Sequence, residues 1–215
     1  MVAYCVIFAA GEYNCEKIYV PENGFIIAAD GGLDFLNKIK VKPDLIIGDF
    51  DSLESEPVGE NIIKFPVRKD DTDSLLAIKK GFELGFKNFI LYGFLGGSLD
   101  HTIANLQCLS FIADNGGIGY AVGKNETVTA IKNSKLTFNE KGRFSVFALG
   151  NEAKTVSITG AEYEVKSIYL TPSFPIGVGN RFKGDKSTIG VDDGTIHIIW
   201  EQKNKEKFPI KKERI

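Results

Sequence analysis

The 215-residue chain is 43% hydrophobic and 25% charged, the composition of an ordinary globular protein and not of a disordered, collagen-like or coiled-coil one. Its 26 Lys and Arg nearly balance 28 Asp and Glu, for a formal charge of −2, so no whole-chain field draws it to nucleic acid or to an anionic membrane. The three cysteines, Cys5, Cys15 and Cys108, are odd in number and form no C-x-x-C pair, which excludes a readable disulfide framework or zinc site and points to a reducing cytoplasm.

In chain order, the first apolar run has no basic residues ahead of it and is soon followed by Glu12 and Glu16, so it reads as a strand over 3–10 and not as a secretion signal. No apolar run approaches the roughly 18 residues of a membrane span. Strand-like runs follow at 25–29, 45–48, 62–65, 89–93 and 120–122, continuously apolar as strands covered on both faces should be. Helical patterns separate them. Over 72–84, Leu75, Ile78 and Phe82 recur at i, i+3 and i+7, and over 102–113, Ile103, Leu106 and Leu109 share a stripe. The alternation predicts an α/β layer with a mainly parallel sheet.

Beyond Gly123 the long helical patterns stop. Short β-rich runs at 127–131, 136–138, 144–149, 155–159, 167–171 and 188–191 take over, and Asp193-Gly194, between 189–191 and 195–200, reads as a hairpin turn. A β-sandwich or small barrel of roughly 90 residues is expected. The lysine-rich tail over 202–215 reads as a solvated terminus.

The chemistry-bearing residues of the first half are almost all aspartates. Asp30 ends a predicted strand before Gly31-Gly32, Asp49 and Asp51 end another in Gly48-Asp49-Phe50-Asp51-Ser52, Asp70, Asp71 and Asp73 open one helix, and Asp100 opens the next. Each cluster falls at a strand-to-helix junction, and in a parallel sheet those junctions share the carboxyl edge, where open α/β folds place their ligands. Aspartate is also a favoured turn and N-cap residue, which explains Asp34, Asp44 and Asp114 well and the whole set poorly. Carboxylates crowded on one edge must take up protons or be neutralised by a cation. Magnesium suits them, since it takes a few carboxylate oxygens together with water and substrate phosphates.

Gly31-Gly32 and Gly93-Phe94-Leu95-Gly96-Gly97, each just ahead of a helical segment, let backbone N–H groups approach an anion closely, although turn formation alone would also explain each pair. No G-x-G-x-x-G follows a strand, and the nearest approach to a P-loop, Gly179 to Ser187, carries Asp185 and lies in a β-rich region. Dinucleotide-dependent dehydrogenase and P-loop ATPase are therefore rejected. His101 and His197 are the only histidines and no G-x-S-x-G elbow exists, which disfavours hydrolase triads. His197, alternating inside a predicted strand, reads as structural. Magnesium-assisted transfer of a phosphate group is the favoured chemistry.

Four ordered motifs, Ala29-Asp30-Gly31-Gly32, Pro43-Asp44-Leu45-Ile46-Ile47-Gly48-Asp49-Phe50-Asp51-Ser52, Lys69-Asp70-Asp71-Thr72-Asp73 and Gly96-Gly97-Ser98-Leu99-Asp100-His101-Thr102-Ile103-Ala104-Asn105-Leu106, resemble those of the thiamine pyrophosphokinase family. The likeness extends more faintly through Phe144-Ser145-Val146-Phe147, Gly160-Ala161-Glu162-Tyr163 and Gly177-Val178-Gly179-Asn180. It implies a Rossmann-like, three-layer α/β domain over 1–123 that binds ATP and magnesium, and an all-β sandwich over 124–215 for thiamine binding and dimerisation. The implied enzyme is a cytoplasmic homodimer with active sites between subunits. It moves the terminal pyrophosphate of ATP onto the hydroxyethyl oxygen of thiamine and releases AMP.

By the same resemblance Asp49, Asp51 and Asp73 hold magnesium, and Asp70 and Asp100 complete the acidic catalytic set. Asp100, Asp70 or a phosphate oxygen takes the hydroxyl proton. Asp30, Gly31, Gly32, Gly96, Gly97 and His101 fall on the ATP side, and Tyr163, Asn180 and Lys69 on the thiamine side, with Tyr163 as the aromatic that stacks on the cation. The chain departs from the family at Ser98, where many members carry arginine, and at Gly179, where serine is usual. The alternatives are another magnesium-dependent nucleotide transferase and a non-catalytic module that senses ATP or thiamine.

Overall fold

The computed structural model describes residues 3–13, 18–50, 59, 61–66, 68, 70–202 and 208–212. The fold is mixed α/β, with three helices and thirteen strands among those residues. It divides into two compact units, Met1–Cys108 with Ala121–Lys124, and Leu109–Tyr120 with Asn125–Ile215. No helix among the described residues is long and apolar enough to cross a membrane.

The first unit contains β1 (Tyr4–Phe8), β2 (Phe25–Ala29), α1 (Gly32–Lys38), β3 (Leu45–Gly48), β4 (Ile62–Lys64), α2 (Asp73–Glu83), β5 (Asn88–Tyr92) and the start of α3 (Leu99–Asp114). Its five strands run parallel in the order β5-β1-β2-β3-β4. Residues 5–8 of β1, 26–29 of β2 and 89–92 of β5 are all buried, which is why these runs are continuously apolar instead of alternating. Asp44 caps the edge of this register, its Oδ2 accepting from the Ile26 N–H at 2.8 Å.

Two helical details differ from expectation. On α2 the fully buried residues are Ala77, Ile78 and Gly81; of the expected stripe Ile78 is among them and Phe82 packs its ring on Phe89 of β5 at 4.9 Å, while Ala77 and Gly81 fill the rest of the buried face. On α3 the buried stripe is Asn105, Cys108, Leu109, Ile112 and Ala113, while Ile103 is 51% exposed. The stripe follows i, i+3, i+4, i+7, i+8, but its first member is polar. α3 passes into the second unit at Leu109, and β6 (Ile118–Val122) is divided between the units.

The second unit adds β7 (Glu126–Phe138), β8 (Lys141–Phe147), β9 (Ala153–Thr159), β10 (Val165–Leu170), β11 (Asn180–Lys183), β12 (Ser187–Glu201) and β13 (Ile210–Lys212). Every pairing among these is antiparallel. The runs expected at 127–131 and 136–138 are one strand, β7. Asp193-Gly194 is not a hairpin turn. Val191 pairs with Ser134 and Thr195 with Lys132, so both sides of the dipeptide pair with the same neighbour and the extra residues form a bulge in one continuous strand. Gly194, at φ 110, donates its N–H to Asn133 Oδ1 at 2.9 Å.

The core of this unit stacks Phe182 on Phe138 and Phe144, with centroids 5.0 and 4.2 Å apart, and sets Trp200 edge-on to Phe138. His197 is buried on β12, its Nε2 3.1 Å from Ser110 Oγ, a structural strand residue as expected. The tail is not wholly solvated: Phe208 stacks on Tyr120 at 4.5 Å, Pro209 O accepts from the Tyr120 hydroxyl, and β13 pairs with β7.

Candidate active site

The register of the parallel sheet fixes what its carboxyl edge presents. Phe8 pairs with Ala28 and with Tyr92, and Ala29 pairs with Ile47. The residues just past the strand ends, Ala9, Asp30, Asp49 and Gly93, therefore share one edge. An open cavity of about 450 Å³ lies there, as the rule for open α/β sheets demands.

Carboxylates supply one side of this cavity. Asp30 adopts φ 46, a left-handed conformation unusual for a non-glycine residue, and donates its N–H to Ile47 O at 2.8 Å. Asp49 lines the cavity one residue past β3. Phe50, also left-handed at φ 63 and only 5% exposed, turns the chain sharply as it leaves the sheet. A Cβ on Gly48 would sit 3.1 Å from the Phe50 ring and 3.2 Å from Asp30 Cα, so glycine there lets the two acid-bearing segments close up. Two residues strained in this way beside one cavity fit the clustering of backbone strain at functional sites.

The start of α2 brings a second set. Thr72, not an aspartate, is the N-cap, its Oγ1 accepting from Leu75 N at 3.3 Å. Asp73 opens the helix, and Asp71, Thr72, Asp73 and Ser74 all line the cavity. Asp71 is also paired with Lys79 at 2.5 Å.

Glycine turns close the other side. Gly93, Gly96 and Gly97 all have positive φ between β5 and α3, and Gly96, Gly97 and Ser98 face the cavity with His101. Asn105, 8% exposed, ties this turn to α3 by donating Nδ2–H to Phe94 O at 2.9 Å. Gly11 N donates to Gly93 O at 3.0 Å, and the Tyr13 hydroxyl donates to Ala9 O while its ring stacks on Phe35 at 3.7 Å. These contacts hold Ala9, Ala10 and Gly11 as a lip of backbone. A Cβ on Gly32 would lie 2.0 Å from Phe8 O, so only glycine lets α1 begin this close to β1.

Of the residues singled out in the sequence, Asp30, Asp49, Asp73, Gly96, Gly97 and His101 line one cavity. Gly31 and Gly32 shape the β2–α1 turn behind Asp30 without lining it. Asp70 is exposed and its neighbour Asp71 takes the lining position. Asp100 is exposed in the first turn of α3 and does not line the cavity; its carboxyl is held below the usual carboxylate range by the Ser98 hydroxyl and by the His101 N–H at 2.9 Å. Asp51 and Lys69 lie outside the described residues. Sequence reasoning missed Ala9, Ala10, Gly11, Thr72 and the role of Asn105. The small-residue run after β1 was the available signal for the first three.

Tyr163 and Asn180 belong to the second unit. The Tyr163 ring is 64% exposed, so it is not a core residue. Asn180 is 8% exposed at the start of β11.

No three His, Cys, Asp or Glu side chains among the described residues are grouped closely enough to hold a metal by themselves. The donors around the cavity are nonetheless mostly oxygens, the carboxylates of Asp30, Asp49, Asp71 and Asp73 and the hydroxyls of Thr72, Ser74 and Ser98, with one imidazole, His101, and no thiol. That suits a hard divalent cation sharing its coordination with a polyphosphate.

Residues 17–116 match the family described as thiamin pyrophosphokinase, catalytic domain. No curated protein matches the chain by sequence. Among solved structures, the fold is similar to thiamine pyrophosphokinase from Bacillus subtilis, at 19% identity over 94% of this chain and 100% of that one, with a TM-score of 0.79. It is similar to thiamin pyrophosphokinase from Geobacillus thermodenitrificans at 20% identity, covering 96% of this chain and 100% of that one, with a TM-score of 0.79. The enzyme from Candida albicans aligns at 15% identity over 94% of this chain and 90% of its own, with a TM-score of 0.73. Residues 17–116 thus match the catalytic domain of the thiamin pyrophosphokinases, and the solved structures of those enzymes share the fold of nearly the whole chain.

Proposed function

We propose that this cavity binds ATP with magnesium and that the chain transfers the terminal pyrophosphate to the hydroxyethyl oxygen of thiamine, releasing AMP. The observation that carries the proposal is the convergence of Asp30, Asp49 and Asp73 with the Gly96-Gly97 turn on one cavity, inside the stretch that matches the family. Asp49 and Asp73, with Asp51, would hold magnesium, which when bound supplies charge neutralisation on the polyphosphate. The chain's own work is positioning. The Ala9-Ala10-Gly11 lip and the Gly96-Gly97-Ser98 turn offer backbone N–H groups to phosphate oxygens, and His101 and Asn105 close the α3 side.

The hydroxyl proton passes to Asp70, to Asp100 or to a phosphate oxygen. Tyr163 supplies the aromatic face for the thiamine cation. The proposal keeps the layered view of the fold, a Rossmann-like α/β domain over 1–123 and a β-sandwich over 124–215, supported by the parallel and antiparallel order of the two units. A cytoplasmic homodimer with active sites between subunits completes it. The free cysteines Cys5 and Cys108 suit that location, and the exposed apolar run Phe174, Ile176 and Val178 is a surface of the kind subunits cover.

The test is to incubate the protein with ATP and thiamine, with and without magnesium, and to follow AMP and thiamine pyrophosphate while sedimentation reports the species present. AMP should appear only with thiamine and the metal, from a dimer, and Asp49→Asn should abolish it in a folded protein. Release of inorganic phosphate without AMP, or a fully active monomer, refutes the corresponding part.

A further inference from the structure

Tyr163 stands exposed on the short connection between β9 and β10, and the chain beneath it is tied down residue by residue. Asn180 Oδ1 accepts from the N–H of Tyr163 at 3.0 Å and from the N–H of Arg181 at 2.8 Å. Its Nδ2 donates to Tyr163 O at 2.7 Å. Neighbouring bonds continue the clasp: Glu162 N donates to Arg181 O at 2.9 Å, Gly160 N to Glu164 Oε1 at 2.9 Å, and Ser187 Oγ to Gly160 O at 2.7 Å.

An amide oxygen has two lone pairs, and here both are engaged by backbone N–H groups. The Asn180 side chain is 8% exposed, against 64% for Tyr163. The buried amide holds the connection and the exposed ring is what it presents. With the backbone held in this way, only the two side-chain torsions of the ring remain to be ordered when a planar cation stacks on it.

We infer that Asn180 is a positioning residue for thiamine, acting through the Tyr163 connection and not by touching the substrate. The inference rests on the reading of Tyr163 as the thiamine-stacking aromatic. It replaces the expectation, drawn from the sequence, that Asn180 is itself a polar contact. Asparagine is required because one side chain must accept from and donate to the same residue's backbone; aspartate keeps the acceptor and loses the donor, and alanine loses both.

A double-mutant cycle combined with amide hydrogen exchange tests this in the full-length protein. In Asn180→Ala the Tyr163 amide should exchange at least about tenfold faster. The thiamine KM should rise roughly threefold to thirtyfold, the range of one aromatic–cation contact, with the ATP KM and the turnover at saturation nearly unchanged. In a Tyr163→Ala background the same substitution should add less than about twofold, since the ring it positions is gone. Asn180→Asp should fall between wild type and alanine on both readouts, and it carries the same cycle if the alanine variant does not fold.

Additive losses overturn the inference, because they make Asn180 a direct contact. Unchanged exchange at Tyr163 in either variant overturns it too. Faster exchange with an unchanged thiamine KM in Tyr163→Ala instead overturns the reading of Tyr163 beneath it.

Discussion

Asn105 joins the turn after β5 to α3 through one hydrogen bond, and its replacement by alanine and by aspartate separates that bond from mere space filling. A neutral hydrogen bond nets about 1 kcal/mol, and stranding its buried partner raises the cost to about 1–3 kcal/mol. Phe94 is fully buried, so Asn105→Ala belongs toward the upper end. In a chain of this size 1 kcal/mol moves Tm by roughly 2–4 °C, and alanine should lower Tm by roughly 4–10 °C. Aspartate has nearly the same shape but turns a carboxylate oxygen toward the Phe94 carbonyl oxygen. At pH 7 it should melt no higher than alanine. Burial and that oxygen raise the introduced carboxyl's pKa above its ordinary ~3.9, and a raised acid pKa favours the folded state at low pH. The aspartate variant should therefore gain on the alanine variant as the pH falls through the raised value. Both variants should raise the KM for ATP and leave that for thiamine unchanged, because the turn carries Gly96, Gly97 and Ser98. The assays are melting curves from pH 4 to 8 and separate substrate titrations. An aspartate variant that melts like wild type at pH 7 refutes the argument.

Gly32→Ala should destabilise the protein by about 1–3 kcal/mol or more, since its Cβ would lie 2.0 Å from Phe8 O, a backbone atom; a denaturant midpoint equal to or above wild type, as the ~1 kcal/mol helix preference for alanine would give, contradicts the close approach. Ser98→Ala should raise the pKa of Asp100, whose lowered value owes most to the Ser98 hydroxyl. The sign follows from linkage: with a depressed folded pKa, the stability contributed by Asp100 is present above its ordinary value and is lost as the pH falls through the folded one. Carboxyl-carbon NMR titration reads the shift, and no rise in the alanine variant refutes the bond.

The inner strands of the first unit, β1, β2 and β5, are legible within about two residues because both their faces are buried and no polar face interrupts the run. The helices were legible as helices, and α3 was misjudged in phase. Ile103 is apolar and exposed while Asn105 is polar and buried, since the first turns of α3 serve a cavity and not a core. Asp193-Gly194 was misread for a related reason. Its local sequence is that of a reversal, but both flanks of β12 are held by β7, and pairing along the long strand outweighs the preference of two residues.

At the candidate site, legibility followed sequence distance. The gathering of Asp30, Asp49 and Asp73 could be anticipated because each lies at a strand-to-helix junction, and topology alone sends such junctions to one edge. Which aspartate of a run faces the cavity could not. The choice between Asp70 and Asp71 depends on where α2 begins, and Thr72 settles that by capping it. The lip formed by Ala9, Ala10 and Gly11 depends on the pairing of Phe8 with Tyr92, 84 residues away (92 − 8). Asn180 is the extreme case. In a sequence it can be a turn former or a substrate contact, and both readings concern its immediate neighbourhood. The structure spends its amide on the backbone of Tyr163, seventeen residues earlier (180 − 163). A motif can therefore retain an asparagine for what that residue does to an aromatic elsewhere in the chain, and a match to the motif cannot distinguish the two uses.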